Sequence, residues 1–137
     1  DYSTKDTAVT PPQMGALLNS LRSLSGSVPG SVVEIGSYRG VTTRKFAEAT
    51  SRTVYAVDPY KGYGGAEHDY EIFKKNVADQ NVVHLRMTSG EAVRNFTEPI
   101  AFVFVDAVHD YVNTMFDANV WAARLVTGGL LAMHDVD

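Results

Sequence analysis

Val32-Val33-Glu34-Ile35-Gly36-Ser37-Tyr38-Arg39-Gly40 is the stretch that decides how this chain folds. A short apolar run carries an acid near its end and passes through two glycines, and residues 41–50 that follow have helical character. A buried strand feeding a glycine turn and then a helix is how α/β proteins build a nucleotide pocket.

The chain on either side repeats this alternation. Residues 1–9 are polar, lack periodicity and read as an N-terminal arm, which leaves 10–137 as one domain. Thr10 before Pro11 and Pro12 opens a helix, because the hydroxyl can cap it and proline lacks only an N–H that would be orphaned there anyway. Met14, Leu17, Leu18, Leu21 and Leu24 continue it at helical spacing. Further strands are expected at 53–58, 81–87, 100–106 and 130–133, with helices at 67–78, 90–96 and 111–126 between them. Thr127-Gly128-Gly129 is expected to stop the last helix with a left-handed glycine cap. Five strands alternating with helices predict a doubly wound, mainly parallel Rossmann-like sheet with right-handed crossovers. Ligands of such sheets sit outside the carboxyl ends of the strands. Glu34, Gly36, Asp58, Thr88, Ser89, Asp106, His134 and Asp135 all fall there.

Bulk properties narrow the class. With 137 residues and no cysteine, the chain can bury a core without disulfides and offers no thiolate metal site. Its 12 basic and 16 acidic residues give a net charge of −4, which argues against nucleic acid and favours a small-molecule partner, with self-association left open. No apolar run approaches the ~20 residues of a membrane span and no signal pattern opens the chain. A soluble cytoplasmic protein without a membrane partner is the default expectation. The chain starts at Asp1 and stops at Asp137 just after an expected strand, so both ends read as cut.

Glu34-x-Gly36-x-x-x-Gly40 departs from the dinucleotide fingerprint by placing an acid where that motif has its first glycine. A carboxylate there can serve a cationic amino group. S-adenosylmethionine carries such an ammonium and NAD does not, so a dehydrogenase is disfavoured. The alternative is that the glycines serve only close packing. Asp58, at the end of the neighbouring strand, can accept both hydroxyls of an adenosine ribose, or it is a solvated or capping acid. Asp106 and Asp135 end adjacent strands with His134 beside them, so the three are candidate ligands for Mg2+ or another divalent cation. Alternatively, Asp106 caps a helix and Asp135 merely ends its strand. His109, three residues beyond Asp106, can take a proton from a hydroxyl near neutrality, or it is a surface histidine. Arg39 reads either as functional or as exposed. Lys61-Gly62-Tyr63-Gly64-Gly65 reads equally as a lid or as a surface loop.

With these motifs the chain resembles the class I S-adenosylmethionine-dependent methyltransferases. Within them it resembles the small-molecule O-methyltransferases related to macrocin and catechol O-methyltransferases. The likeness rests on the glycine turn, on Ala56-Val57-Asp58-Pro59-Tyr60, on Arg86-Met87-Thr88-Ser89-Gly90-Glu91-Ala92, on Phe104-Val105-Asp106-Ala107-Val108-His109-Asp110-Tyr111 and on Gly128-Gly129 through His134-Asp135. It implies the strand order 3-2-1-4-5, with the last two of the usual seven strands absent. It also implies a cofactor held by Glu34, Gly36, Ser37, Tyr38, Gly40, Asp58, Thr88, Ser89 and Asp106. Asp106, His134 and Asp135 would be the metal ligands, and His109 the general base working with Asp106. Two departures stand out: Thr88 replaces an acid often found beside the adenine, and His134 replaces a frequent carboxylate. The alternative function is a non-catalytic methyltransferase-like domain that binds the cofactor or a partner.

Overall fold

Apolar residues on both faces of 31–35 place one strand at the middle of the molecule. The computed structural model describes residues 7, 9–61, 66–108 and 118–136 (only the backbone at 66, 107, 108, 135 and 136). That central strand is β1, Ser31–Ile35. The other elements are α1 (Pro11–Arg22), α2 (Val41–Ala49), β2 (Val54–Val57), α3 (Ala66–Val77), β3 (Val82–Leu85), α4 (Ser89–Asn95), β4 (Ile100–Val108) and β5 (Leu125–Val136). The strands are all parallel in the order β3-β2-β1-β4-β5, as expected.

Strand alternation sorts the core into two layers. Val32, Val54, Phe102 and Phe104 face Met14, Leu17 and Leu21 of α1 and Phe46 of α2. The Phe46 ring stands edge-on to Phe102 and Phe104, with centroids 5.7 and 5.6 Å away. Val33, Ile35, Val57, Val103 and Val105 face Ala92, Val93, Phe96 and Trp121 on the opposite side. Each such side chain, fully buried, contributes roughly 1.5–3 kcal/mol. Val9 is also buried, against the α1 layer, and Thr7 Oγ1 lies 3.3 Å from Thr42 Oγ1, so the described part of the expected arm is packed onto the domain.

Thr10 does cap α1. Its hydroxyl accepts from Gln13 N–H while Gln13 Oε1 accepts from Thr10 N–H. The end of the expected helix at 111–126 differs. Residues 109–117 lie outside the described residues, 118–122 are helical, and the chain turns at 123–124. Arg124 donates to the carbonyls of Val93 and Phe96, which pins that turn beside α4 and frees Leu125 to pair with Ile100. Gly128 and Gly129 are therefore not a helix stop but part of an irregularity within β5. Ile100 pairs with Leu125 and Phe102 already with Leu130, so the intervening residues bulge. A Cβ on Gly129 would lie 3.0 Å from the Ala101 carbonyl, and Gly128 has φ +87°. β5 lies at one edge of the sheet, with β3 at the other, and leaves Leu130, Leu131 and Met133 exposed. Among the described residues no helix is long and apolar enough to cross a membrane.

Candidate functional site

The turn between β1 and α2 alternates left-handed residues: Gly36 at φ +90°, Tyr38 at +48° and Gly40 at +83°. The two glycines answer to internal packing. A Cβ on Gly36 would lie 2.2 Å from the Asp106 carbonyl oxygen, and one on Gly40 2.9 Å from the Phe73 ring. Tyr38 has no such freedom, so its conformation stores strain that neighbours must hold. Asp58, just after β2, does so: Oδ2 accepts from Tyr38 N–H at 3.1 Å and Oδ1 from Tyr60 N–H at 2.9 Å. Tyr60, itself at φ +52°, closes the loop. Its hydroxyl donates to the Tyr38 carbonyl at 2.5 Å and lies 2.9 Å from Ser37 Oγ.

Ser37, Tyr38 and Asp58 are thus brought together, with Tyr60, quoted in the second motif but given no role there, as a further member. The only local signal for it is its place two residues after the acid. Arg39 is held within the protein. It pairs through Nε with the buried Asp69 of α3 at 2.9 Å, and its carbonyl accepts from Asn76 Nδ2 at 2.8 Å.

Three carboxyls surround this turn. Glu34 is 1% exposed and accepts a hydrogen bond from Thr43 Oγ1 of α2. Burial pushes its pKa up to about 8 against the Thr43 bond, with repulsion from Asp106 and Asp58 adding to the rise. Burial also raises Asp58, opposed by backbone N–H groups of Tyr60, Tyr38 and Ser37. Asp106 is raised by burial and drawn back by His134. Burial is the main cause of all three rises, and carboxyls raised in this way form a site that gains from a cation and repels a diphosphate. A carboxylate has about four acceptor positions, so its backbone bonds do not exhaust Asp58.

The residues expected at the adenine are engaged within the protein. Thr88 caps α4 through a reciprocal bond with Glu91, a pairing spelled by Thr88-x-x-Glu91. Ser89 Oγ accepts from the buried Trp121 indole N–H at 2.9 Å.

At the other end of the site the register sets Asp106 opposite His134 and Asp135 opposite Ala107. His134 is 8% exposed. Its Nδ1 lies 3.1 Å from Asp106 Oδ1 and its Nε2 3.0 Å from Gln13 Oε1 of α1. Both ring nitrogens are therefore occupied, and among the described residues no group of three His, Asp or Glu side chains could hold a metal ion. Of the expected ligands Asp106, His134 and Asp135, the first two bond to each other. The side chain of Asp135, and the whole of His109, lie outside the described residues. A cavity of about 250 Å³ opens between α1 and the β4–β5 layer, lined by Gln13, Ala16, Leu17, Phe104, Met133 and His134 among others.

A family model described as a methyltransferase domain matches residues 33–136. Among solved structures, the chain is similar to a Staphylococcus aureus protein provisionally named a caffeoyl-CoA O-methyltransferase (TM-score 0.72, 18% identity, 93% of this chain and 58% of that one). It is also similar to the O-methyltransferase TomG of Streptomyces achromogenes, involved in tomaymycin synthesis and solved in complex with SAM (TM-score 0.70, 18% identity, 93% and 57%). An rRNA methylase of Streptococcus thermophilus matches comparably (TM-score 0.67, 20% identity, 93% and 72%). At these identities the likeness shows a shared fold. The chain spans less than two thirds of the length of the first two relatives.

Proposed function

The chain belongs to the methyltransferase-domain family, whose methyl donor is S-adenosylmethionine, and from that premise we propose that it methylates a hydroxyl oxygen of a small molecule. The observation that carries this proposal is the ring of three carboxyls, the buried Glu34 and the partly buried Asp58 and Asp106, around a turn closed by Ser37, Tyr38 and Tyr60. Such a ring suits a donor bearing a sulfonium and an ammonium. Residues 10–137 would form the cofactor-binding domain.

Within it, Asp58 accepts the ribose hydroxyls, and Glu34 ionises to meet the ammonium. The backbone of Gly36 to Gly40 lines the methionine end, and Thr88 and Ser89 frame the adenine through the N-terminus of α4. Bound there, S-adenosylmethionine supplies an electrophilic methyl group on sulfur. The acceptor would approach from the cavity over β4–β5, with Asp106 between it and the donor. His109 would take the proton of the acceptor hydroxyl as its oxygen bonds to the methyl carbon and the carbon–sulfur bond breaks, the electron pair going to sulfur so that the neutral thioether S-adenosylhomocysteine leaves. Positioning of the two reactants and removal of the proton would account for most of the acceleration. The small-molecule acceptor is supported by the net charge of −4, which suits neither rRNA nor another polyanion. No step is assigned to a divalent cation.

Labelled-methyl transfer to a panel of hydroxylated small molecules tests this function. His109→Ala should lower kcat by about 10²-fold or more while donor affinity is kept. Unchanged turnover would remove His109 from the mechanism. Donor binding without transfer to any hydroxyl would favour the non-catalytic binding domain.

A further inference from the structure

Gln13 lies outside the segment matched by the methyltransferase family, yet it touches the centre of the site. Its amide is oriented by its own helix. Oε1 accepts the Thr10 N–H at 2.8 Å, so the atom facing His134 Nε2 is an oxygen, and Nε2 must carry a hydrogen to bond it. At the opposite nitrogen, Nδ1 and Asp106 Oδ1 stand 3.1 Å apart with one hydrogen between them. If the ring holds it, Asp106 is a carboxylate accepting a bond. If Asp106 holds it, the Nδ1 lone pair is the acceptor. Neither state leaves a ring lone pair for a metal. The side chains of His134 and Asp106 are only 8% and 14% exposed, so the pair is shielded from solvent by α1 and the sheet.

We propose that Gln13 and Asp106 hold the His134 ring as a hydrogen-bonded strap at the position where the sequence resemblance implies a divalent cation. The site then takes no such ion, and Gln13 is its positioning residue. The strap does in protein atoms part of what an ion would do: it fixes the Asp106 carboxyl and ties α1 to the ends of β4 and β5. It also makes the floor of the cavity depend on the start of α1, because the oxygen that caps the helix is the oxygen that holds the ring. The inference does not depend on methyl transfer, since it concerns the ring's partners in the protein alone.

The test has two arms, neither of which measures activity. Titration of Mn2+ alone, followed by paramagnetic resonance, should show no ion bound by the wild-type protein up to millimolar concentrations. Stoichiometric Mn2+ binding that disappears in Asp106→Asn would overturn the proposal. Nitrogen-detected NMR of the His134 ring at fixed pH should show a protonated, slowly exchanging Nε2. Gln13→Met should abolish that protection, Gln13→Glu should restore it, and Thr10→Ala, which weakens the cap but spares the Gln13 oxygen, should leave it in place. A bare Nε2 in the wild type, or protection unaltered by Gln13→Met in a folded protein, would also overturn it. A merely structural role for Gln13 would lower thermal stability equally in Gln13→Met and Thr10→Ala and leave the ring signal alone.

Discussion

Glu34→Gln isolates the most perturbed acid in the site. Burial beneath α2, with repulsion from Asp106 and Asp58, lifts Glu34 from 4.5 to about 8 despite the Thr43 hydrogen bond. The folded protein therefore keeps a proton that the unfolded chain has already lost throughout the window between those values. Stability from this group is complete below about pH 4.5, falls as pH rises through the window, and levels off above about pH 8. The full loss is at most roughly 5 kcal/mol, taking 1.36 kcal/mol per pKa unit. That is large beside a domain stability of about 5–15 kcal/mol. Glutamine has nearly the same shape, can still accept from Thr43 and cannot ionise. Urea unfolding of both proteins from pH 5 to 9 should show wild type losing stability with pH far more steeply than Glu34→Gln, and the variant the more stable at pH 9. Asp58 and Asp106 titrate in both proteins, so the difference between the curves belongs mainly to Glu34. Parallel curves would refute the claim that Glu34 is a buried, protonated acid.

Gly36→Ala puts a methyl group against the Asp106 carbonyl at a φ of +90° and should cost at least about 3 kcal/mol, read from the denaturant midpoint. Arg39→Ala leaves the carboxyl of Asp69 without its ion pair at 5% side-chain exposure, and should destabilise by about 3 kcal/mol in the same assay. A loss under about 0.5 kcal/mol, as is usual for surface changes, would mean the pair does not clamp the turn to α3.

Much of this arrangement could be read from residues close together in the chain. Thr10-Pro11-Pro12 announces α1, and the apolar runs ending in Glu34, Asp58 and Asp106 announce three central strands together with the acids around the turn. Local spelling also contained Thr88-x-x-Glu91, a capping box that gives Thr88 work within its own helix. Other features were beyond local reading. Gly128-Gly129 looks the same as a helix stop or as a bulge; the choice was made by Arg124 reaching Val93 and Phe96, and by pairing with β4. Asp106 faces His134 and not Asp135 because of a strand register, which no short window encodes. The bond between Gln13 and His134 joins the first helix to the last strand, and a lone glutamine in an amphipathic helix gives no hint of it. Arg39 likewise resolved into a packing role only when Asp69 was brought to it by α3.

Calorimetric titration of S-adenosylmethionine at pH 7, in two buffers of different ionisation enthalpy, bears most directly on the acidic turn as the donor site. Saturable binding with release of protons is the predicted result, because the ligand's ammonium ionises a Glu34 carboxyl whose pKa of about 8 keeps it protonated in the free protein. No saturable binding of S-adenosylmethionine, or binding of NADH in its place, would contradict it.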